Sequence, residues 1–306
     1  MVHRLQFHAM GSGILACVDN GSDQPPVELM DVPAWFEEWE QSLSRFRTDS
    51  ELSRVNQAGS QPMPVSPVLW DVFQSALAAE DFTDGLVTPT VLDAMLGAGY
   101  SSDFASLPRQ QDAPTGTQST VRPLNLVQWD PAAHTLQLPA DIHLDFGGIA
   151  KGWAAGQAVS RLQEVGSVLM NCGGDIAVSG PLLDGSPWEI GVYQPFDRES
   201  DYAEMLYFHT ACGVASSATD RRRWLQGNQL RHHIIDPRTS MPAQSDVVSA
   251  TVVAPTAVEA EAAAKSILIQ GSLDGLNWLE ANPALAGLLI LEDGQMLYSQ
   301  KIIEYL

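Results

Sequence analysis

Hydrophobic and polar positions alternate from His3 to Val18 around Gly11 and Gly13, which predicts two short strands or a bulged hairpin at the start of the chain. A Gly/Pro-rich loop runs to Pro26, and the pattern then changes. Behind Asp31, a candidate N-cap, and Pro33, the residues Trp35, Trp39, Leu43 and Phe46 recur at helical spacing and predict a first amphipathic helix. A second helix is expected from Ser66 to Glu80, with Leu69, Val72, Phe73 and Ala76 on one face. The stretch from Asp103 to Arg122 is rich in Ser, Pro, Gln and Thr and reads as a long surface loop.

From Leu126 the pattern becomes strand-rich, with runs at 126–129, 135–138, 142–146, 168–171, 175–178, 188–193, 205–208, 213–216 and 247–254. Helical patterns interrupt it at 149–165 and 258–270. Antiparallel-looking strands with a few helices predict an α+β fold rather than a doubly wound sheet. The expected organisation is one unit over 1–306, with a helical subregion over about 31–102 and a strand-rich core over about 126–306.

Composition narrows the function. The 306 residues are 45% hydrophobic, enough for a packed core. With 37 acidic against 16 basic residues the net charge is −21, which argues against nucleic acid or an anionic membrane as partner. An anionic ligand then requires basic groups gathered locally. No apolar run approaches the ~18–20 residues of a membrane-spanning helix, and nothing through His8 reads as a signal peptide or lipidated cysteine, so the chain as it stands reads as cytoplasmic. Cys17, Cys172 and Cys212 are scattered without metal-ligand spacing and read as inert side chains.

The most informative stretch is Asp145-Phe146-Gly147-Gly148-Ile149-Ala150-Lys151-Gly152-Trp153, where a short apolar run meets two glycines and then an Ala-rich helical pattern. It predicts a strand, a tight turn and a helix N-terminus, whose free N–H groups and dipole favour an anion, with Lys151 adding a mobile charge. A plain strand-to-helix corner explains an isolated Gly-Gly turn equally well. Two further motifs follow: Asn171-Cys172-Gly173-Gly174-Asp175-Ile176, and His232-His233-Ile234-Ile235-Asp236-Pro237-Arg238-Thr239. Together with Met10-Gly11-Ser12, Ser44-Arg45-Phe46 and the run from Ser50 to Asn56, they make the chain resemble the FAD:protein FMN transferases, the ApbE-type family, over nearly its whole length.

The resemblance implies a T-fold-like sheet-and-helix α+β architecture with a helical N-terminal part. It also implies a reaction, in which FMN passes from FAD to a Thr or Ser hydroxyl of an acceptor protein and AMP leaves. Both phosphates are anionic, so the site must neutralise charge, position the groups and supply a base. Gly147, Gly148 and Lys151 are candidates to hold the pyrophosphate, and Gly173, Gly174 and Asp175 form a second turn where backbone can approach a ligand. An ordinary hairpin corner is equally open for Gly173-Gly174. His233 stands where the family places its functional histidine and is the candidate acid or base. His232 alternates to the other strand face and is expected to meet solvent. Asp236 and Arg238 read as turn formers or ligand contacts. Met10 and Asn56 match family positions near the flavin and the reaction centre. Arg221-Arg222-Arg223 reads either as an anion-attracting group or as a solvated strand edge.

Several positions depart from the family. Its members commonly bind Mg²⁺ through a carbonyl matched here by Ala150, and through an Asp and a Thr matched by Glu261 and Lys265. A protonated lysine cannot ligate Mg²⁺, which demands hard oxygens. One reading places the Lys265 ammonium where the metal would stand, oriented by Glu261; the other is a surface i,i+4 Glu–Lys pair. Gly156, Val87-Thr88-Pro89 and Ser240 also replace an Asp, a Phe-Asp-Pro and a Gly of the family. Beside FMN transfer, two other functions are open: an FAD pyrophosphatase yielding FMN and AMP, and an FAD-binding protein without catalysis.

Overall fold

A computed structural model describes residues 1–113, 119–196 and 202–306. The chain divides into two compact units, one made of 1–36, 151–220 and 245–306, the other of 37–150 and 221–244. The stretch 221–244, strand-rich by sequence, therefore groups with the more helical part of the chain.

The first unit is built on an eight-stranded antiparallel sheet in the order Val2–Ala9, Ser12–Asp19, Ser167–Cys172, Asp175–Val178, Cys212–Ala218, Val247–Ala254, Ala286–Leu291, Met296–Tyr298. Its first hairpin closes through Met10 and Gly11, both at positive φ (51° and 63°), the backbone shape that two-residue turns require. Val247–Ala254 is buried at every position because both sheet faces are covered. One face packs Leu169, Ile176, Val214, Val253 and Leu288 against Trp188, Ile190, Leu206 and Phe208 of the two-stranded ribbon Trp188–Val192/Glu204–Phe208. The helix Ala257–Gln270, started by a Thr256/Glu259 capping box, packs against the strands Cys212–Ala218 and Val247–Ala254.

The second unit carries the helices Glu51–Gln57, Pro67–Phe82 and Leu92–Gly97 and three small sheets. Ser66, expected as the first residue of the second helix, instead caps the helix Pro67–Phe82, accepting from the Leu69 N–H. A cluster of Met95, Ala98, Tyr100, Leu107, Trp224 and Ile235 forms a local core, pinned where Trp224 Nε1 donates to the Ala98 carbonyl at 2.8 Å.

Four expectations need correction. Residues 142–146 form no ladder, because their backbone groups bond elsewhere, as described below. The helix Val32–Leu43 is preceded by a 3₁₀ turn at Val27–Asp31 and ends before Phe46, which is exposed with the Arg45 guanidinium over its ring. The 103–122 stretch is not wholly a surface loop: Leu107 is buried and Gln110–Gln111 pairs in parallel with the strand Arg223–Gln226, while residues 114–118 lie outside the described residues. His232 is only half-exposed and is hydrogen-bonded on both ring nitrogens.

Candidate active site

Four charges meet in the first unit. Lys151, in the first turn of the helix Ala150–Leu162, is ion-paired with Asp175 and places Nζ 2.9 Å from Glu261 Oε1. Lys265 Nζ lies 2.9 Å from the same oxygen, one helical turn beyond Glu261. The other carboxylate oxygen, Oε2, accepts the Gly152 N–H at 2.8 Å. The Glu261 side chain is fully buried and that of Asp175 is 5% exposed, whereas Lys151 and Lys265 keep 14% and 17%. Burying an unpaired carboxylate is costly, and here every buried oxygen of Glu261 has a donor.

Burial by itself would raise the Glu261 pKa. The Lys151 and Lys265 ammoniums and their hydrogen bonds outweigh it and hold the carboxyl below its ordinary range. The close approach depends on Gly152, where a Cβ would stand 2.6 Å from the Ala257 carbonyl oxygen and 3.0 Å from Glu261 Oε2. Cys172 lies in the same field. Burial pushes its thiol well up despite Lys151, so it stays protonated, in agreement with the reading of the cysteines as inert.

Asp175 follows a two-residue hairpin turn of Gly173 (φ 68°) and Gly174 (φ 101°), with Cys172 paired to Asp175 across it. The Gly174 N–H is bonded to Asn171 Oδ1 at 2.8 Å, and a Cβ on Gly173 would meet Ser12 at 2.7 Å. The turn thus aims Asp175 at Lys151. Met10, at positive φ, belongs to the neighbouring strand hairpin.

The second unit holds the other candidates. Asn56 grips the backbone of Leu144, donating to its carbonyl at 2.9 Å and accepting its N–H at 2.8 Å. The Asp145 N–H donates to the Pro89 carbonyl at 2.8 Å, and Asp145 Oδ1 accepts the Gly147 N–H at 2.8 Å. These bonds replace a strand ladder and fix the backbone entering the Gly147-Gly148 turn. The Ile149 and Ala150 N–H groups bond to the Phe146 carbonyl. The N–H groups of Gly147, Ile149, Ala150 and Gly152 therefore already have protein acceptors, so the Lys151 ammonium carries more of the motif's capacity to meet negative charge than those four do.

Asp145 Oδ2 also forms a buried ion pair with Arg45 Nε at 2.6 Å. Arg45 in turn donates to the Tyr100 carbonyl at 2.9 Å and lies 4.8 Å from the centre of the Tyr100 ring. Tyr100 stacks on Trp224 at 5.4 Å and meets His233 edge-on at 6.3 Å. Arg45 and Asp145 sit inside the quoted motifs, but their pairing and the contact with Tyr100 join residues far apart in the chain and leave no sequence signal.

His233 follows the strand Gln229–His232 and is half-buried. His232 Nε2 bonds the Ala243 carbonyl at 2.9 Å and its Nδ1 accepts the Ile234 N–H at 3.3 Å, a pattern that requires the neutral ring protonated on Nε2. Burial lowers its pKa. His232 thereby anchors the segment that presents His233. Asp236 behaves as a turn former, accepting the Arg238 N–H at 2.9 Å and pairing with its guanidinium. Ser240 occupies the left-handed region at φ 59°, and its Oγ accepts the Val121 N–H at 2.8 Å.

The ApbE family model matches residues 14–289. The chain is 28% identical over 263 residues to the FAD:protein FMN transferase of Salmonella typhimurium, covering 83% of this chain and 73% of that one. It is also 28% identical over 311 residues to the FAD:protein FMN transferase of Treponema pallidum, covering 95% and 86%. The crystal structure of the ApbE protein from Thermotoga maritima superposes with a TM-score of 0.87 at 22% identity over 100% of this chain and 99% of that one. The flavin transferase ApbE from Vibrio cholerae gives 0.79 at 24% identity, over 100% and 99%. Both confirm the α+β fold. No helix among the described residues is long and apolar enough to cross a membrane.

Proposed function

The chain belongs to the ApbE family, and on that premise we propose that it transfers FMN from FAD to a Ser or Thr hydroxyl of an acceptor protein and releases AMP. The observation that carries the reading is the gathering of Lys151 and Lys265 on one buried carboxylate, two largely buried ammoniums that still reach the surface to meet an anionic group in a chain of net charge −21. Relatives named for this reaction support it.

In the proposed step the acceptor oxygen attacks the FMN-side phosphorus. A phosphorus–oxygen bond forms to the acceptor, the bond to the bridging pyrophosphate oxygen breaks, and AMP leaves with that oxygen. His233 takes the hydroxyl proton, a contribution typically worth ~10²–10⁴ in rate. Lys151 and Lys265 offset the charge on the pyrophosphate, and fixed ammoniums need no reorganisation as charge shifts toward the leaving AMP. Asp175 and Glu261 hold those ammoniums in place.

Incubation with FAD and a Thr- or Ser-bearing acceptor tests this. AMP should appear in equal amount to FMN bound to the acceptor, read by mass spectrometry. AMP with free FMN alone would identify an FAD pyrophosphatase, and FAD binding with no AMP would identify a non-catalytic binding protein.

A further inference from the structure

The residues that match the family's metal position do not fit a divalent cation. Mg²⁺ requires near-octahedral oxygen ligands at about 2.0–2.1 Å and parts with its water reluctantly. Glu261 offers it none: Oε1 accepts from two ammoniums at 2.9 Å each, and Oε2 accepts from the Gly152 N–H at 2.8 Å. The Asp175 carboxylate is engaged by Lys151. Among the described residues no group of three or more His, Cys, Asp or Glu side chains is arranged to hold a metal.

We propose that the Lys265 ammonium, seated on the buried Glu261 carboxylate, does the work of a divalent cation in this chain, so that its dinucleotide is bound and used without metal. The proposal rests on the flavin-transfer reading above. The occupied carboxylates favour it, because Lys151 and Lys265 already engage Asp175 and Glu261, and an entering dication would displace one ammonium and sit beside the other. Geometry favours it as well. Lys265 directs two of its three donors at Glu261, Oε1 at 2.9 Å and the backbone carbonyl at 3.5 Å, and with 17% of the side chain exposed its third donor is available to a phosphate oxygen. Gly152 is what permits the arrangement, since a side chain there would push the Ala257 carbonyl and the Glu261 carboxylate away.

Three measurements on the intact chain test this, each with the melting temperature recorded alongside. FAD affinity of the wild type, read by calorimetry, should agree within about twofold in EDTA and in Mg²⁺. Titration of the FAD-free wild type with Mn²⁺ should give no saturable heat or paramagnetic signal. Lys265→Met should weaken FAD binding by about 10- to 100-fold, the ratio for one hydrogen bond to a charged group, with no recovery in Mg²⁺, whereas Lys265→Thr should recover in Mg²⁺. FAD affinity lost in EDTA, or saturable Mn²⁺ binding by the wild type, would overturn the proposal, and these two arms decide it even where a substitution unfolds the chain. A folded wild type that binds no FAD in either buffer would instead sink the flavin reading, and the Mn²⁺ titration would still settle the metal question.

Discussion

Asn56 spends both ends of its side-chain amide on one residue, accepting the Leu144 N–H at 2.8 Å and donating to the Leu144 carbonyl at 2.9 Å. The two residues are 88 positions apart, so this one side chain takes the place of a neighbouring strand for the segment that leads into the Gly147-Gly148 turn. Asn56→Leu should therefore cost about 2–4 kcal/mol in denaturant unfolding, because it leaves two backbone groups of a buried residue without partners. Asn56→Asp, which keeps the acceptor, should cost less. Equal stability of Asn56→Leu and the wild type would remove this role.

Glu261 makes acid stability a sensitive readout of the charged cluster. Its carboxyl is held below its unfolded value of 4.5, so its contribution is present above that pH and is lost as pH falls toward the folded value of about 2. Glu261→Gln should lower stability at pH 7 and flatten the acid limb between pH 4.5 and 2. Parallel wild-type and variant curves across that window would contradict the ion-pair account.

His232 acts in the same sense at a higher pH. Burial holds its pKa below 6.5, so the neutral ring favours the fold, and stability should decline as pH falls below about 6.5 and level off under the folded pKa. His232→Asn should remove that part of the slope. A slope that survives the substitution would assign it to another group.

Ser240 stands at φ 59° and lends its hydroxyl to the Val121 N–H. Ser240→Ala keeps the strained backbone and loses the bond, and should cost about 1–2 kcal/mol, while Ser240→Gly relieves the backbone and should stay within about 1 kcal/mol of wild type. Thermal unfolding of the pair separates the two effects. Alanine less destabilising than glycine would contradict this account.

Elements set by local pattern were legible in the sequence. The strands Asp175–Val178 and Val247–Ala254 have the expected bounds, and the helix Pro67–Phe82 differs from its expected span by one residue at the start and two at the end. What failed was what distant residues decide. Residues 142–146 look like a strand, but Asn56 and Pro89 supply their backbone partners. His232 looks solvent-facing by alternation, yet the Ala243 carbonyl and the Ile234 N–H claim its ring. In the candidate site, the Glu261–Lys265 spacing was visible as an i,i+4 pair. That Lys151 shares the same oxygen, and that Gly152 closes the other side, depends on contacts spanning more than a hundred residues. The Arg45–Asp145 pair was hidden for the same reason.

The central claim is that this chain moves FMN with His233 as the proton acceptor, and the most direct test compares wild type with His233→Ala on one preparation of FAD and acceptor. The account predicts that FMN incorporation into the acceptor falls ~10²–10⁴-fold while FAD affinity stays within about tenfold, since a general base contributes to the transition state and little to ground-state binding. An unchanged rate of incorporation in the variant would contradict it.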